Sequence, residues 1–158
     1  MIKEYEYLHG VVFNRLCSAY SFEVSIKPLK EDGYSSYVLN KTAGLHIKYS
    51  SKRLTPWRFT FSKANQDEIL IMKKRFGEVF VALVCNLDGV VVLDFDELKA
   101  LLDIGHDENE WLSISRRKNK MYSVAAANGK LDFKIGMNSC PDKIVDYLKK
   151  ATNRLKKS

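Results

Sequence analysis

Acidic residues are missing from one long part of this chain. Residues 33–66 contain no Asp or Glu, yet Lys41, Lys48, Lys52, Arg53, Arg58 and Lys63 all fall within them. Cysteine is scarce as well. Cys17, Cys85 and Cys140 are odd in number, far apart and outside any CxxC or Cys/His ligand spacing, so neither a disulfide framework nor a zinc site is expected and the thiols read as buried and reduced. No apolar run approaches the roughly 20 residues that span a bilayer, which argues against a membrane partner. Internal repeats and low-complexity linkers are absent too, and a chain of 158 residues suits one domain covering 1–158. The opening MIKEYEYLHG carries acids and lacks the apolar core of a secretory signal, so a cytoplasmic address is expected.

What is abundant is positive charge. Lys and Arg number 26 against 19 Asp and Glu, a net +7. Besides the acid-poor stretch there is a cluster at Arg116, Arg117, Lys118 and Lys120, and a basic tail of Lys149, Lys150, Arg154, Lys156 and Lys157. A concentrated positive field attracts a polyanion, and each phosphate neutralised releases condensed counterions. Nucleic acid, DNA ahead of RNA, is therefore the expected partner. The plainer alternative is solvated surface.

Residues 44–85 read as strand, strand, helix, strand. Leu45, Ile47 and Tyr49 alternate with His46 and Lys48, so a strand would bury the first set and turn the second toward the opposite face. Trp57, Phe59 and Phe61 repeat the alternation against Arg58, Thr60 and Ser62, and the basic turn at 50–55 suggests a hairpin between the two runs. Asn65 followed by Glu68 has capping-box spacing, Ile69, Met72 and Phe76 recur at helical intervals, and Gly77 supplies a stop. Residues 79–85 are uniformly apolar, as in a strand buried on both faces.

Before this unit, Leu8, Val12, Leu16 and Ala19 predict an opening helix over 2–19. Phe22, Val24 and Ile26 predict a strand ended by Pro28, and residues 34–39 another, with a turn at 40–42. After it, Leu87-Asp88-Gly89 has turn chemistry, Val90 to Leu93 should pair back, and Asp94 or Asp96 should cap a short helix. That capping role accounts for the carboxylates at Asp94, Asp96 and Glu97 without catalysis. An acidic loop at 106–110, short strands around Trp111, Ile114, Tyr122 and Val124, a turn at Asn128-Gly129, a further strand at Leu131, Phe133 and Ile135, and a helix from Pro141 complete the chain.

The order helix, strand, strand, strand, helix, strand, with Gly10 in the first helix and a strand ending in Ile47-Lys48, resembles the core of restriction-endonuclease-like nucleases, the PD-(D/E)xK superfamily. Among them it is most similar to archaeal Holliday-junction resolvases and related small endonucleases. The resemblance implies an α/β (α+β) fold: a mixed-sheet α-β-β-β-α-β core over 4–98, followed by a β-rich extension and terminal helix over 111–158. It also implies a carboxylate cage for divalent metal beside a lysine. Here only Lys48 matches, because the positions of the three acids hold Asn14, Ser35 or Ser36, and His46. Mg²⁺ is a hard cation that takes oxygen ligands, so a degenerate hydrolytic centre that needs no cofactor is implied.

Lys48 would then touch phosphate, with His46 as a weaker candidate ligand or base whose unperturbed pKa lies near neutrality. His9 and His106 offer no recognisable partner. Tyr34, Tyr37, Tyr49 and Trp57 would stack on bases where exposed, although the alternation assigns Trp57 and Tyr49 to the core. The expected function is nucleic-acid binding without cleavage through Lys41, Lys48, Lys52, Arg53, Arg58, Lys63, Arg116, Arg117, Lys118 and Lys120. Two alternatives stand beside it: an Mg²⁺-dependent endonuclease recruiting Glu31 or Asp32, and an interaction module with residues 111–135 as a partner surface or homodimer interface.

Overall fold

The structure, a computed structural model, describes residues 1–105 and 108–157. His106 and Asp107 of the expected acidic loop lie outside the described residues. Among those described, four helices and two sheets, one of them mixed, form an α+β architecture.

Helix α1 (Glu4–Cys17) carries Glu4 and Glu6 in its first turn and Arg15 in its last, which complements the helix dipole, and buries Leu8, Val12 and Leu16. The strand expected at 22–28 is reduced to β1 (Ile26–Pro28). Its first half is held differently: the Asn40 side chain accepts from the Ser25 N–H at 2.6 Å and donates to the Glu23 carbonyl at 3.2 Å. β2 (Ser36–Leu39) and β3 (Ala43–Ser50) form the expected antiparallel pair around the 40–42 turn, where Asn40 and Lys41 take positive φ.

The expected hairpin between β3 and β4 (Trp57–Phe61) does not form. β3 has β2 on one edge and β5 (Val79–Cys85) on the other, parallel and in register from Gly44↔Val79 to Ser50↔Cys85, so no edge remains for β4. Helix α2 (Lys63–Phe76) makes the crossover that a parallel pair requires. Its N-cap is Ser62, one turn earlier than expected, with Asn65 as the reciprocal partner, and Gly77 ends it at φ 84°. At Gly44 a Cβ would lie 2.7 Å from Met72 Sδ, so glycine is what lets α2 approach β3.

β6 (Gly89–Leu93) pairs antiparallel with β5 and completes the order β1-β2-β3-β5-β6. Helix α3 (Phe95–Leu101) follows; of the two expected caps Asp94 takes the role, in a reciprocal pair with Glu97. The second sheet, β4-β7-β8-β9, comprises β4 with β7 (Glu110–Ser115), β8 (Ser123–Ala126) and β9 (Gly129–Lys130). The strand expected at 131–135 shrinks to one bridge between Ile135 and Tyr122. Helix α4 (Ser139–Lys157) closes the outer edge of β6: Val92 N–H donates to Ser139 Oγ at 3.0 Å and Lys143 Nζ donates to the Val92 carbonyl at 3.1 Å. No helix among the described residues is long and apolar enough to cross a membrane.

The first sheet is buried on both faces. Leu45, Ile47, Phe80 and Val90 pack with Leu8 of α1 and Ile144 of α4 on one side; Val81, Leu83 and Val91 pack with Ile69 of α2 and with Trp57, Phe59 and Leu112 of the second sheet on the other. This double cover corrects the expectation for His46. Its face of β3 lies under α2 and the second sheet rather than in water, and the side chain is fully buried. Tyr49, expected inside, instead emerges near the end of the strand.

Candidate nucleic-acid interface

The interior of the site is a knot of polar groups beneath the first turns of α2. Asn65 and Glu68, three residues apart on one helix face, both point at β3. Lys48 Nζ donates to Asn65 Oδ1 at 2.9 Å and lies 5.1 Å from the centre of the Phe61 ring. Ser36 stands directly across from His46 in the β2–β3 register. Its hydroxyl donates to Glu68 Oε2 at 2.8 Å and lies 2.8 Å from His46 Nδ1, while Glu68 Oε1 pairs with Lys30 at 3.0 Å.

The proton positions follow from this network. Burial pushes Glu68 up, but the hydrogen bonds from Ser36 and Lys30 outweigh it and hold the carboxyl below its ordinary range. An ionised Glu68 only accepts, so the single Ser36 hydrogen points to it and His46 must present Nδ1–H to the serine oxygen. Burial, reinforced by the Lys48 charge, lowers the His46 pKa to about 3 and keeps the ring neutral. Its Nε2 is buried with no hydrogen-bond partner among the described residues. Lys48 is itself pushed down by burial.

This arrangement is unsuited to nucleophilic catalysis. Ser36 is buried, its hydrogen is engaged by a carboxylate, and the imidazole donates to it rather than accepting from it. Nor does it suit a hard divalent cation. Among the described residues Glu68 is the one carboxylate brought against His46, both of its oxygens are engaged, and no group of three or more His, Cys, Asp or Glu side chains could hold a metal. Asn14 is exposed on α1. Glu31 and Asp32, the carboxylates expected to be recruited, are exposed in the loop after β1, whose residue reaching the site is the cation Lys30.

Above the knot lies an open cleft of about 370 Å³, lined among others by Tyr5 and His9 of α1, Tyr34 before β2, Lys48 and Tyr49 of β3, and Arg58 of β4. Arg58 stacks over Trp111 at 4.2 Å. His9, without a partner on sequence grounds, has Nδ1 at 3.0 Å from Tyr37 Oη, which in turn donates to the Tyr34 carbonyl at 3.1 Å. Burial lowers the His9 pKa to about 4, so this ring is neutral as well.

The basic loops converge beside the second sheet. β4 pairs with β7 in the register Trp57↔Ile114, so residues 51–56 and 116–122 leave the same end of that sheet, and Arg116 N–H donates to Thr55 Oγ1 at 3.1 Å between them. Lys52 and Arg53 from one loop and Arg117, Lys118 and Lys120 from the other are exposed. A second cavity of about 700 Å³ borders on Thr55, Arg117, Lys120 and Lys134, the last a residue that sequence reasoning missed. Arg116 is committed elsewhere. It grips both oxygens of Asp88, at 2.6 and 2.9 Å, and Tyr122 Oη donates to the same carboxylate at 2.7 Å. Lys63 pairs with Asp67 at 3.7 Å, and Lys41 sits in the β2–β3 turn at the opposite end of β3 from Lys48.

Glu68, Asn65 and Tyr5 were also missed. The spacing of Asn65 and Glu68 suits a helix cap, and the same spacing places both on one helix face. No family model, curated protein or solved structure matches this chain.

Proposed function

We propose that this protein binds nucleic acid, DNA ahead of RNA, through the cleft at Lys48 and Arg58 and the adjoining basic loops, on a nuclease-like scaffold that does not cut. The observation that carries this reading is the state of Lys48. Its ammonium faces a neutral amide, and among the described residues neither it nor Arg58 is in an ion pair. Two cations at an open cleft without matching carboxylates attract an anion. The succession α1, β1, β2, β3, β4, α2, β5, with β1-β2-β3-β5 adjacent in a mixed sheet and β4 diverted to the second sheet, supports the likeness to PD-(D/E)xK nucleases. Ser36 and His46 at the acid positions support a scaffold without its metal cage.

Fluorescence anisotropy with duplex, branched and single-stranded DNA and with RNA, across a salt series, tests the reading. A log–log salt slope of about −4.5 on duplex and about −3.5 on single strands is expected from roughly five phosphate contacts, and Lys48→Glu with Arg58→Glu should weaken every complex. Absence of salt-sensitive binding to all of these ligands would sink it. Incubation of plasmid with Mg²⁺ or Mn²⁺ tests the second half: cleavage that disappears in Lys48→Ala would restore the endonuclease.

A further inference from the structure

The proposed nucleic-acid reading leaves open what enters the cleft, and its walls answer by their chemistry. Tyr34 is 62% exposed and Tyr49 36%, whereas Trp57, Phe59 and Phe61 nearby are buried. Both exposed rings border the same cleft, and both are braced from behind. Tyr34 leans on Tyr5 with centroids 5.3 Å apart, Tyr5 meets His9 at 5.6 Å, and His9 meets Tyr49 at 6.0 Å. The Tyr34 backbone is tied in through its carbonyl to Tyr37. Such rings lose little freedom on contact with a ligand.

We propose that the cleft receives one unpaired nucleotide, its base against Tyr34 and Tyr49 and its phosphate between Lys48 and Arg58. Among the described residues no carboxylate lines the cleft, which favours an anion. At about 370 Å³ it has the capacity of a small-ligand pocket rather than of a groove for a duplex. Within a duplex the π faces of the bases are covered by stacking, so the tyrosines gain a partner only when a base is extruded or single-stranded. Stacking of this kind is indifferent to base identity because every base has a π face. This inference rests on nucleic-acid binding, and the two fail separately.

The test measures anisotropy with a labelled oligothymidylate of about twelve nucleotides and with an abasic strand of the same length and charge. The base-bearing strand should bind roughly tenfold more tightly at equal salt, a difference abolished by Tyr34→Ala and kept by Tyr34→Phe. Thermal melts of both variants confirm folding. Equal affinity for the two strands, or a preference untouched by Tyr34→Ala, overturns the nucleotide slot while leaving electrostatic binding intact. Binding to neither strand, nor to duplex, at low salt overturns the nucleic-acid reading itself.

Discussion

Strands β3 and β4 follow one another with similar alternation of apolar and polar residues, yet their polar faces meet opposite fates. On β4 the alternation reports burial faithfully: Trp57, Phe59 and Phe61 are inside, Arg58 and Thr60 outside. On β3 it does not, since five successive residues from Ala43 to Ile47 are buried, His46 among them. The difference is coverage. β4 shows its polar side to the cleft and solvent, whereas β3 is the middle strand of five with α1 on one side and α2 on the other. Alternation fixes which residues share a face; neighbours distant in sequence decide whether that face is wet. The polar face of β3 is therefore divided, His46 sealed in a hydrogen-bonded knot and Lys48 reaching the cleft, whereas that of β4 supplied an exposed cation.

The sharpest way to break this contrast is acid, because His46 on β3 and His9 on the covering helix α1 are both buried and neutral. The native His46 pKa of about 3 and the native His9 pKa of about 4 both lie below the ordinary 6.5. Between these values the unfolded chain binds protons that the native one does not, so stability rises with pH, is complete above about 6.5, and is lost on acidification. Each histidine contributes about 1.4 kcal/mol per pH unit in that window. Lowered Glu68 acts in the same direction at more acidic pH. From about pH 7.5 to 4.5 the protein should lose on the order of 5 kcal/mol, read as a falling thermal midpoint by circular dichroism. A midpoint flat across that range would show that His46 on β3 and His9 on α1 are not sequestered.

A smaller effect probes the covering layer directly. Gly44→Ala would drive a methyl group into Met72 at under 3 Å, forcing α2 off β3, with an expected loss of about 1–3 kcal/mol in urea unfolding. Compensation by Met72→Ala in the double variant would locate the strain in that contact. Wild-type stability in the single variant would mean that α2 yields without cost, and the cover over His46 would be loose.

How much of this was legible follows from the same contrast. Local patterns gave the Trp57-Phe59-Phe61 face, the doubly buried run at Val79–Cys85, the Gly77 stop and the Asp94 cap, because each depends on residues within one turn or strand. Adjacency suggests a β3–β4 hairpin that does not form, since the competing parallel partner β5 arrives only after a helix. Of Ser35 and Ser36, pairing register sets Ser36 directly across from His46, a fact of strand alignment that local pattern does not carry. Arg116 looked like a surface cation because Asp88, which it grips, lies 28 residues earlier. The meeting of the 51–56 and 116–122 loops was hidden for the same reason, being set by β4–β7 pairing.

Arg58 offers the mildest test and the most discriminating one. Its side chain stacks on Trp111 and borders the cleft, but it supports no buried group, so Arg58→Ala should cost at most about 1 kcal/mol of stability, the worth of an exposed cation–π contact. In binding the same change should flatten the log–log salt slope by about one, the signature of a single lost phosphate contact, without altering the preference for unpaired bases. Arg116→Ala should do the reverse, destabilising the fold by about 2 kcal/mol through the uncompensated Asp88 while leaving the slope unchanged. If instead Arg58→Ala unfolds the protein or Arg116→Ala flattens the slope, the division between a sealed interior and a working surface is drawn in the wrong place.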